Sequence, residues 1–166
     1  LSKNEFFGAL TDFISDLVGK VDKIGFCFSY PMHKTPDKDG RLIAWSKEIK
    51  APEVEGELIG KGLLESLKKR GIDNIKKIII LNDTVATQLA GKTAGAPGKF
   101  DSYIGVILGT GVNACYNESN NNIKKVSNLR ENGFQIINTE TGTCKTLDSG
   151  DVDIRFRATT SNAEAY

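Results

Sequence analysis

The carboxylate best placed for chemistry in this sequence is Asp83. It follows Asn82 directly after a short β-branched run, 77–81 (KIIIL), and helical spacing resumes at Thr84. Such a run is typical of a buried strand, and side chains at a strand–helix junction of an open α/β sheet project toward ligands. A carboxylate held there can act as a general base, or it can cap the helix that follows. The two roles are compatible.

A second candidate is the turn made by Gly109, Thr110 and Gly111, which follows an apolar strand predicted over 103–108. Glycines let backbone N–H groups approach a phosphate closely, and the threonine adds a hydroxyl donor. The turn is not a P-loop, because no Gly-Lys-Ser/Thr sequence follows it. A hairpin tip without any ligand explains the same three residues, so the motif carries little weight by itself.

Two further predicted strands end in polar side chains. Ser29 lies near the end of the run 24–30, and Ser46 and Lys47 lie at the end of the run that starts at residue 41. Hydroxyl and ammonium groups at strand ends could bind a small polar ligand. Ordinary solvent-exposed residues would give the same pattern, so these positions are candidates and no more.

Helices and strands alternate along the chain, which predicts an α/β fold. Apolar residues at helical spacing predict the helices, and β-branched or aromatic runs between turn residues predict the strands. The helices are predicted over 4–18, 57–70 and 84–89, and the strands over 24–30, 41–46, 77–81, 103–108, 113–116 and 134–137. We expect a hairpin after the turn-rich loop 32–40 and another around 109–111. Cys27 and Trp45 lie within apolar runs, so both are expected in the core.

The composition limits the partners and the setting of the protein. The 166 residues include 22 basic and 21 acidic side chains, for a net charge of +1, so no positive field attracts nucleic acid or anionic lipid. Three cysteines without a C-x-x-C pair fit a reducing cytoplasm. No apolar stretch approaches the roughly 18 residues of a membrane span. Because the sequence begins with Leu1 rather than methionine, we expect it to be part of a longer protein.

Taken in order, these segments resemble the hexokinase family, which includes eukaryotic hexokinases and glucokinases. The matching segments are 24–31 (IGFCFSYP), 40–47 (GRLIAWSK), 68–71 (KKRG), 81–87 (LNDTVAT), 104–118 (IGVILGTGVNACYNE) and 137–142 (INTETG). The similarity spans nearly the whole chain, is strongest over 24–118 and thins after 142. A series of this kind is far more specific than any one of its short motifs.

The resemblance implies a fold of the actin-like ATPase (ribonuclease H-like) superfamily, with two lobes and a sugar in the cleft between them. Residues 1–83 would form most of the small, sugar-binding domain, and 84–166 the first part of the large domain. The fold would be incomplete, because the family's first phosphate loop, its adenosine-binding region and a later sugar-contacting glutamate have no match here. We therefore expect this chain to be inactive alone.

The resemblance also implies roles for individual residues. Asp83 would be the catalytic base, accepting the proton of a sugar hydroxyl as it attacks the γ-phosphoryl of ATP, with Mg²⁺ accompanying the nucleotide. The other implied roles are sugar contacts by Ser29, Ser46, Lys47, Asn82, Asn113 and Glu140, and phosphate contacts by Gly109, Thr110 and Gly111. Ser46 replaces the family's usual threonine and keeps its hydroxyl. Thr141 replaces the tryptophan that commonly follows the glutamate.

The implied activity is that of a hexokinase, the ATP-dependent phosphorylation of the 6-hydroxyl of glucose or a related hexose in the first step of glycolysis. Two other hypotheses stay open. A sugar-binding sensor or pseudokinase would keep the pocket without catalysis, although the retained Asp83 argues against it. An unrelated small α/β domain with a glycine hairpin would require the whole series of motifs to be a coincidence.

Overall fold

The computed structural model describes residues 1–46, 49–95, 98–109, 111–144 and 148–160. Within these ranges it contains four α-helices and seven β-strands. In chain order they are α1 (Lys3–Ile14), β1 (Lys23–Cys27), β2 (Met32–Lys34), β3 (Gly40–Leu42), α2 (Ile59–Lys69), β4 (Lys77–Leu81), α3 (Asp83–Ala94), β5 (Ile104–Leu108), β6 (Val112–Ser119), β7 (Phe134–Asn138) and α4 (Asp151–Thr159). Strand β1 pairs with β4, β2 pairs with β3, and β6 lies between β5 and β7. The predicted α/β class is confirmed.

Helix α1 begins with a capping box and ends earlier than predicted. The Ser2 hydroxyl accepts a hydrogen bond from the Glu5 N–H (3.3 Å), and the Glu5 carboxylate accepts one from the Ser2 N–H (2.7 Å). The helix ends at Ile14 rather than at residue 18, because the chain then turns and a short 3-10 segment, Val18–Lys20, directs the Val18 side chain into the core.

Strands β1 and β4 form a parallel pair with Cys27 opposite Leu81. The strand predicted over 24–30 ends at Cys27, because β4 ends at Leu81 and the Phe28 N–H makes the next backbone bond, to the Leu81 carbonyl (2.8 Å). The prediction that Cys27 lies in the core is wrong. Burial alternates along β1, and Cys27 falls on the exposed side.

The hairpin predicted between the strands 24–30 and 41–46 is wrong, because β1 pairs with β4 and the hairpin that forms here joins β2 and β3. Strand β3 pairs with β2, which lies inside the segment predicted as a loop, and His33 is opposite Arg41. Strand β3 ends at Leu42, well before residue 46. The following residues instead bring Trp45 onto the rings of Phe28 and Tyr30, where its side chain is half-buried.

The hydrophobic core lies between α1, α2 and the β1–β4 pair. Helix α2 turns Ile59, Leu63 and Leu67 to one side, as the helical spacing predicts, and each is at most 2% exposed. The other buried members of this cluster are Phe6, Phe7, Val18, Phe28, Leu42, Ala51, Val54, Ile75, Ile78 and Ile80.

The cap of α2 comes from a distant part of the chain. The buried Asp39 carboxylate accepts hydrogen bonds from the Gly60 N–H (2.7 Å) and the Lys61 N–H (2.9 Å). Position 60 is glycine because a Cβ there would lie 2.8 Å from an Asp39 carboxylate oxygen. The contact fixes the start of α2 against the β2–β3 hairpin, since the anionic side chain also meets the positive end of the helix dipole.

Helix α3 packs on one face of the three-stranded sheet β5–β6–β7. Gly105 allows the close approach, because a Cβ there would lie 2.5 Å from the Thr84 carbonyl oxygen. Cys115, opposite Gly105 in the register, is buried and donates its thiol to the same carbonyl (3.2 Å). The three predicted strands of this sheet are confirmed within a few residues, whereas α3 extends to Ala94, past its predicted end.

The first residue of α3 is Asp83, next to the predicted boundary between the domains 1–83 and 84–166. That division stays a prediction. Within the ranges described, none of the helices has the length and apolar character needed to cross a membrane.

Candidate functional site

The junction of β4 and α3 holds Asn82 and Asp83. The Asn82 Oδ1 caps α3 by accepting a hydrogen bond from the Thr84 N–H (2.9 Å), and Asp83 is the first helical residue rather than the cap. The Asp83 Oδ1 accepts a bond from the same N–H (2.9 Å), beside the positive end of the helix dipole. One oxygen of each side chain is therefore anchored, and these bonds do not use the Asn82 Nδ2 donor or the Asp83 Oδ2 acceptor.

Ser29 lies at the same end of the β1–β4 pair. Parallel strands end on the same side of a sheet, and Cys27 pairs with Leu81, so Ser29 and Asp83 each follow their strand by two residues. The Ser29 side chain is half-buried. The structure therefore brings Ser29, Asn82 and Asp83 to the carboxyl end of these two strands.

The segment that carries Ser46 runs beside the one that carries Ser29. Their sequence neighbours Trp45 and Tyr30 pack edge to face, with ring centroids 4.8 Å apart. Ser46 is exposed. Lys47, the other sugar contact predicted here, lies outside the described residues.

The turn between β5 and β6 contains Gly109 and Gly111. The Gly109 N–H donates to the Gly111 carbonyl (3.0 Å), which closes the turn. Because the Gly109 N–H is used in this way, the Gly111 N–H is the glycine donor that could face a phosphate. Thr110, the predicted hydroxyl donor of this turn, lies outside the described residues.

Asn113, Asn138 and Glu140 form a chain of hydrogen bonds. The Asn113 Nδ2 donates to the Asn138 Oδ1 (2.7 Å), and the Asn138 Nδ2 donates to the Glu140 Oε1 (2.6 Å). The Asn113 Nδ2 also lies 3.4 Å from the Glu140 Oε1. The strand register explains this meeting, because β6 pairs Cys115 with Asn138 and therefore brings Asn113 opposite Glu140. Two predicted sugar contacts, Asn113 and Glu140, are thus brought together.

The segment after β7 is held firmly against β6. The Thr139 N–H and hydroxyl both donate to the Ala114 carbonyl (2.9 and 2.8 Å). Gly142 approaches β6 so closely that a Cβ would lie 2.6 Å from the Val112 carbonyl oxygen. Glu140, which lies between Thr139 and Gly142, adopts a left-handed conformation (φ 51°, ψ 43°). This conformation costs about 1–3 kcal/mol in a residue other than glycine and persists only where the surrounding structure imposes it.

Helix α3 and the Asn113 side chain lie on the same side of the sheet. The Cys115 thiol contacts Thr84 in the first turn of α3, and residues two apart on a strand share a face, so Asn113 is on that face too. One turn later, the Gln88 side chain donates to the Tyr103 carbonyl just before β5 begins. The N-terminal end of α3 therefore points toward the β5–β6 turn, which is also the end of the sheet that carries Asn113.

Two titratable groups near these elements have shifted pKa values. Burial raises the pKa of the Cys115 thiol, partly countered by a backbone hydrogen bond at Gly105, so the thiol stays neutral and remains a donor. Burial lowers the pKa of the Lys34 ammonium, and the charge of Asp39 opposes this shift. In the part of the chain that the structure describes, no three His, Cys, Asp or Glu side chains are grouped to hold a metal ion.

Two family models, both described as hexokinase, match residues 2–93 and 103–166 of this chain. The chain belongs to the hexokinase family. Hexokinase-1 of Schizosaccharomyces pombe is 39% identical over 145 residues, which cover 80% of this chain and 29% of that protein. Hexokinase-1 of Rattus norvegicus is 35% identical over 147 residues, which cover 85% of this chain and 15% of that protein. The chain thus spans less than a third of the length of these two relatives.

Solved hexokinase structures share its fold. A hexokinase from Schistosoma mansoni, complexed with glucose, superposes with a TM-score of 0.66 at 28% identity and covers 82% of this chain, which corresponds to 30% of that structure. Another hexokinase crystal structure has a TM-score of 0.69 at 25% identity, covering 97% of this chain and 36% of its own. The predicted actin-like ATPase fold, present here in part, is confirmed.

Asn138 belongs to this candidate site, but sequence reasoning did not single it out. The sequence feature that could have identified it is its position two residues before Glu140 at the end of a strand, because this spacing places both side chains on one face. It was missed because its bond to Asn113 crosses strands that lie 25 residues apart in the sequence. The individual sugar and phosphate contacts of this site stay predictions.

Proposed function

We propose that this chain carries the hexose-binding residues and the catalytic base of an ATP-dependent hexokinase, which phosphorylates the 6-hydroxyl of glucose or a related hexose in the cytoplasm. The observation that carries this proposal is the anchored Asp83 carboxylate at the β4–α3 junction. It lies at the end of α3 that points to the same end of the sheet as Asn113. The fold shared with the glucose complex of the Schistosoma mansoni hexokinase supports hexose as the ligand.

Asp83 would act as the general base. Its Oδ1 is held by the Thr84 N–H, which leaves Oδ2 to accept the proton of the sugar hydroxyl. A hydroxyl is a poor nucleophile, and a positioned carboxylate can remove its proton as the oxygen attacks the γ-phosphoryl of ATP. Because the first turn of α3 fixes the carboxylate, its contribution is orientation of the hydroxyl together with proton removal during the transfer.

The neighbouring side chains would bind the other hydroxyls of the sugar. Asn82 offers its Nδ2 as a donor because its Oδ1 is used in the helix cap. Asn113 would contact the sugar with its amide and Glu140 with its carboxylate, from the other side of the site. Ser29 and Ser46 would add hydroxyls from the first half of the chain. A site built to hydrogen-bond hydroxyls in this way discriminates strongly against ligands that lack them.

The β5–β6 turn would bind the phosphates of ATP. The Gly111 N–H and the Thr110 hydroxyl are the donors we assign to this role, since the Gly109 N–H is used within the turn. Mg²⁺ would accompany the nucleotide and be held largely by its phosphates and by water, as is usual for this ion.

The decisive experiment replaces Asp83 in the protein expressed from its complete reading frame. Asp83→Asn keeps the Oδ1 acceptor for the Thr84 N–H and removes the base. We expect kcat with glucose and Mg-ATP to fall by about 10²- to 10⁴-fold, with little change in glucose affinity. Asp151→Asn is the matched control, because Asp151 is likewise the first residue of its helix, α4, and should leave kcat unchanged.

The same assay separates the alternative function. Glucose binding by the wild-type protein without any phosphorylation would identify a sugar sensor or pseudokinase. Full activity of the Asp83→Asn protein would remove Asp83 from the mechanism. The 166-residue chain alone is expected to show little turnover, because it spans only 29% of the Schizosaccharomyces pombe hexokinase.

A further inference from the structure

We propose that Asn138 is a positioning residue of the hexose site, holding the Asn113 amide and the Glu140 carboxylate in the orientation that the sugar requires. This inference rests on the proposed function, since it concerns the same site. Asn138 itself need not touch the sugar. Its role follows from its two bonds, one accepted from the Asn113 Nδ2 (2.7 Å) and one donated to the Glu140 Oε1 (2.6 Å).

The polarity of this hydrogen-bond chain is determined from one end. The Ala114 N–H donates to the Asn113 Oδ1 (2.8 Å), and a backbone N–H can only donate. The Asn113 Nδ2 must therefore face Asn138, which has to present its carbonyl oxygen there. The amino group of Asn138 then faces Glu140, where a carboxylate can only accept. Rotating either amide by half a turn would oppose two donors or two acceptors, so a single arrangement is stable.

The Asn138 amide supplies what this position needs. The side chain must accept on one side and donate on the other, over a span set by two neighbouring strands. An aspartate would accept from Asn113 but repel Glu140, and an alanine would leave both partners without their bond. The bond from the Asn138 Nδ2 orients the Glu140 carboxylate together with the Asn113 Nδ2, which lies 3.4 Å from the same oxygen.

A purely structural role does not explain the side chain. Strand β7 is held by its backbone, which pairs Asn138 with Cys115, and the next residue, Thr139, donates twice to the Ala114 carbonyl. These contacts persist whatever the side chain at position 138. The amide therefore contributes to the position of the two predicted sugar contacts more than to the pairing of the strands.

The test measures glucose affinity, KM and kcat for Asn138→Ala and Asn138→Asp in the protein expressed from its complete reading frame. We expect Asn138→Ala to weaken glucose binding about 10- to 100-fold, the range for losing a hydrogen bond to a charged group. Asn138→Asp should be at least as harmful, although it keeps the shape of the side chain. A residue that only fills space would give the opposite order, because the isosteric aspartate would then be the milder change.

The matched control is Asn122→Ala. Asn122 donates its Nδ2 to the Glu118 Oε1 (2.7 Å), so it makes the same amide–carboxylate bond near the other end of β6. We expect unchanged glucose affinity in this variant. Equal thermal unfolding of the Asn122→Ala and Asn138→Ala proteins would further separate a positioning role from a loss of stability.

A double-mutant cycle with Glu140→Ala completes the test. Because Asn138 would still hold Asn113 when Glu140 is absent, adding Asn138→Ala to Glu140→Ala should weaken glucose binding further, but by clearly less than the product of the single losses. Full multiplication of the two losses would overturn the inference, as would wild-type affinity in both Asn138 variants. Failure of the wild-type protein to bind any hexose would instead remove the proposed function, and this inference with it.

Discussion

The two halves of the described chain bury their apolar residues to different degrees. Every member of the hydrophobic core cluster lies between Phe6 and Ile80. In the sheet β5–β6–β7, by contrast, Ile104 is 71% exposed and Leu108 is 80% exposed, because these residues lie on the face opposite α3. The first half is therefore stabilised by its own core, whereas the second is held together by strand pairing and one helix.

The candidate site is divided between these two halves. Ser29, Asn82 and Asp83 are positioned by strands β1 and β4, which belong to the cored half. Asn113 and Glu140 are positioned by hydrogen bonds within the second sheet. The strands that lead to the proposed base are therefore placed by hydrophobic packing, and the proposed sugar contacts Asn113 and Glu140 by polar bonds, so different substitutions should disturb the two sides.

The largest effect on stability is expected in the core of the first half. Leu63→Ala removes a side chain that is 2% exposed and leaves a cavity, so the free energy of unfolding should fall by about 2–5 kcal/mol. Leu108→Ala, at an exposed position of the second half, should change it by no more than about 0.5 kcal/mol. Urea denaturation followed by the fluorescence of Trp45 measures both. Similar losses in the two variants would contradict the difference between the halves.

A smaller effect is expected where α3 meets its sheet. Gly105→Ala places a methyl group 2.5 Å from the Thr84 carbonyl oxygen, and the overpacking should cost about 1–3 kcal/mol of unfolding free energy. Gly25→Ala is the matched control in the middle of β1, because a Cβ there meets no atom within 4 Å. Denaturation followed by circular dichroism compares the two. A neutral Gly105→Ala would mean that α3 does not pack as closely as described.

Thiol reactivity compares an exposed cysteine of the first half with a buried cysteine of the second. Cys27 is exposed on β1, whereas Cys115 is buried under α3 and burial raises its pKa, so its thiolate is scarce at neutral pH. We expect iodoacetamide to label Cys27 at least about tenfold faster than Cys115, since labelling of a buried thiol requires local opening. Mass spectrometry of timed samples gives both rates. Equal rates would show that α3 does not cover this face of the sheet.

The smallest effect concerns the capping box of α1. Hydrogen bonds from Ser2 lower the pKa of Glu5, so the folded state favours the charged carboxylate. This contribution is present above the ordinary pKa and is lost as the pH falls through the lowered folded value. Glu5→Gln should therefore be slightly less stable than wild type at pH 7 and equally stable at pH 2. A stability difference that persists at pH 2 would assign the effect to something other than this charge.

Much of the fold follows from local patterns. The helical spacing of Leu63 and Leu67 and the β-branched run of β4 identified their elements with nearly the observed bounds. The order of short motifs identified the family, and the strand–helix junction drew attention to Asp83. These features depend on residues close together in the chain, so a single sequence contains the information needed to recognise them.

Contacts between distant residues were decided by the tertiary structure alone. Nothing local shows that Asp39 caps α2 or that β1 pairs with β4 instead of entering a hairpin. In the same way, Asn138 bonds to Asn113 and Glu140 only because the pairing of β6 with β7 aligns it between them. The physical reason is that a residue's type and spacing determine which bonds it can make, whereas its partner is chosen by the packing of elements that lie far apart in the sequence.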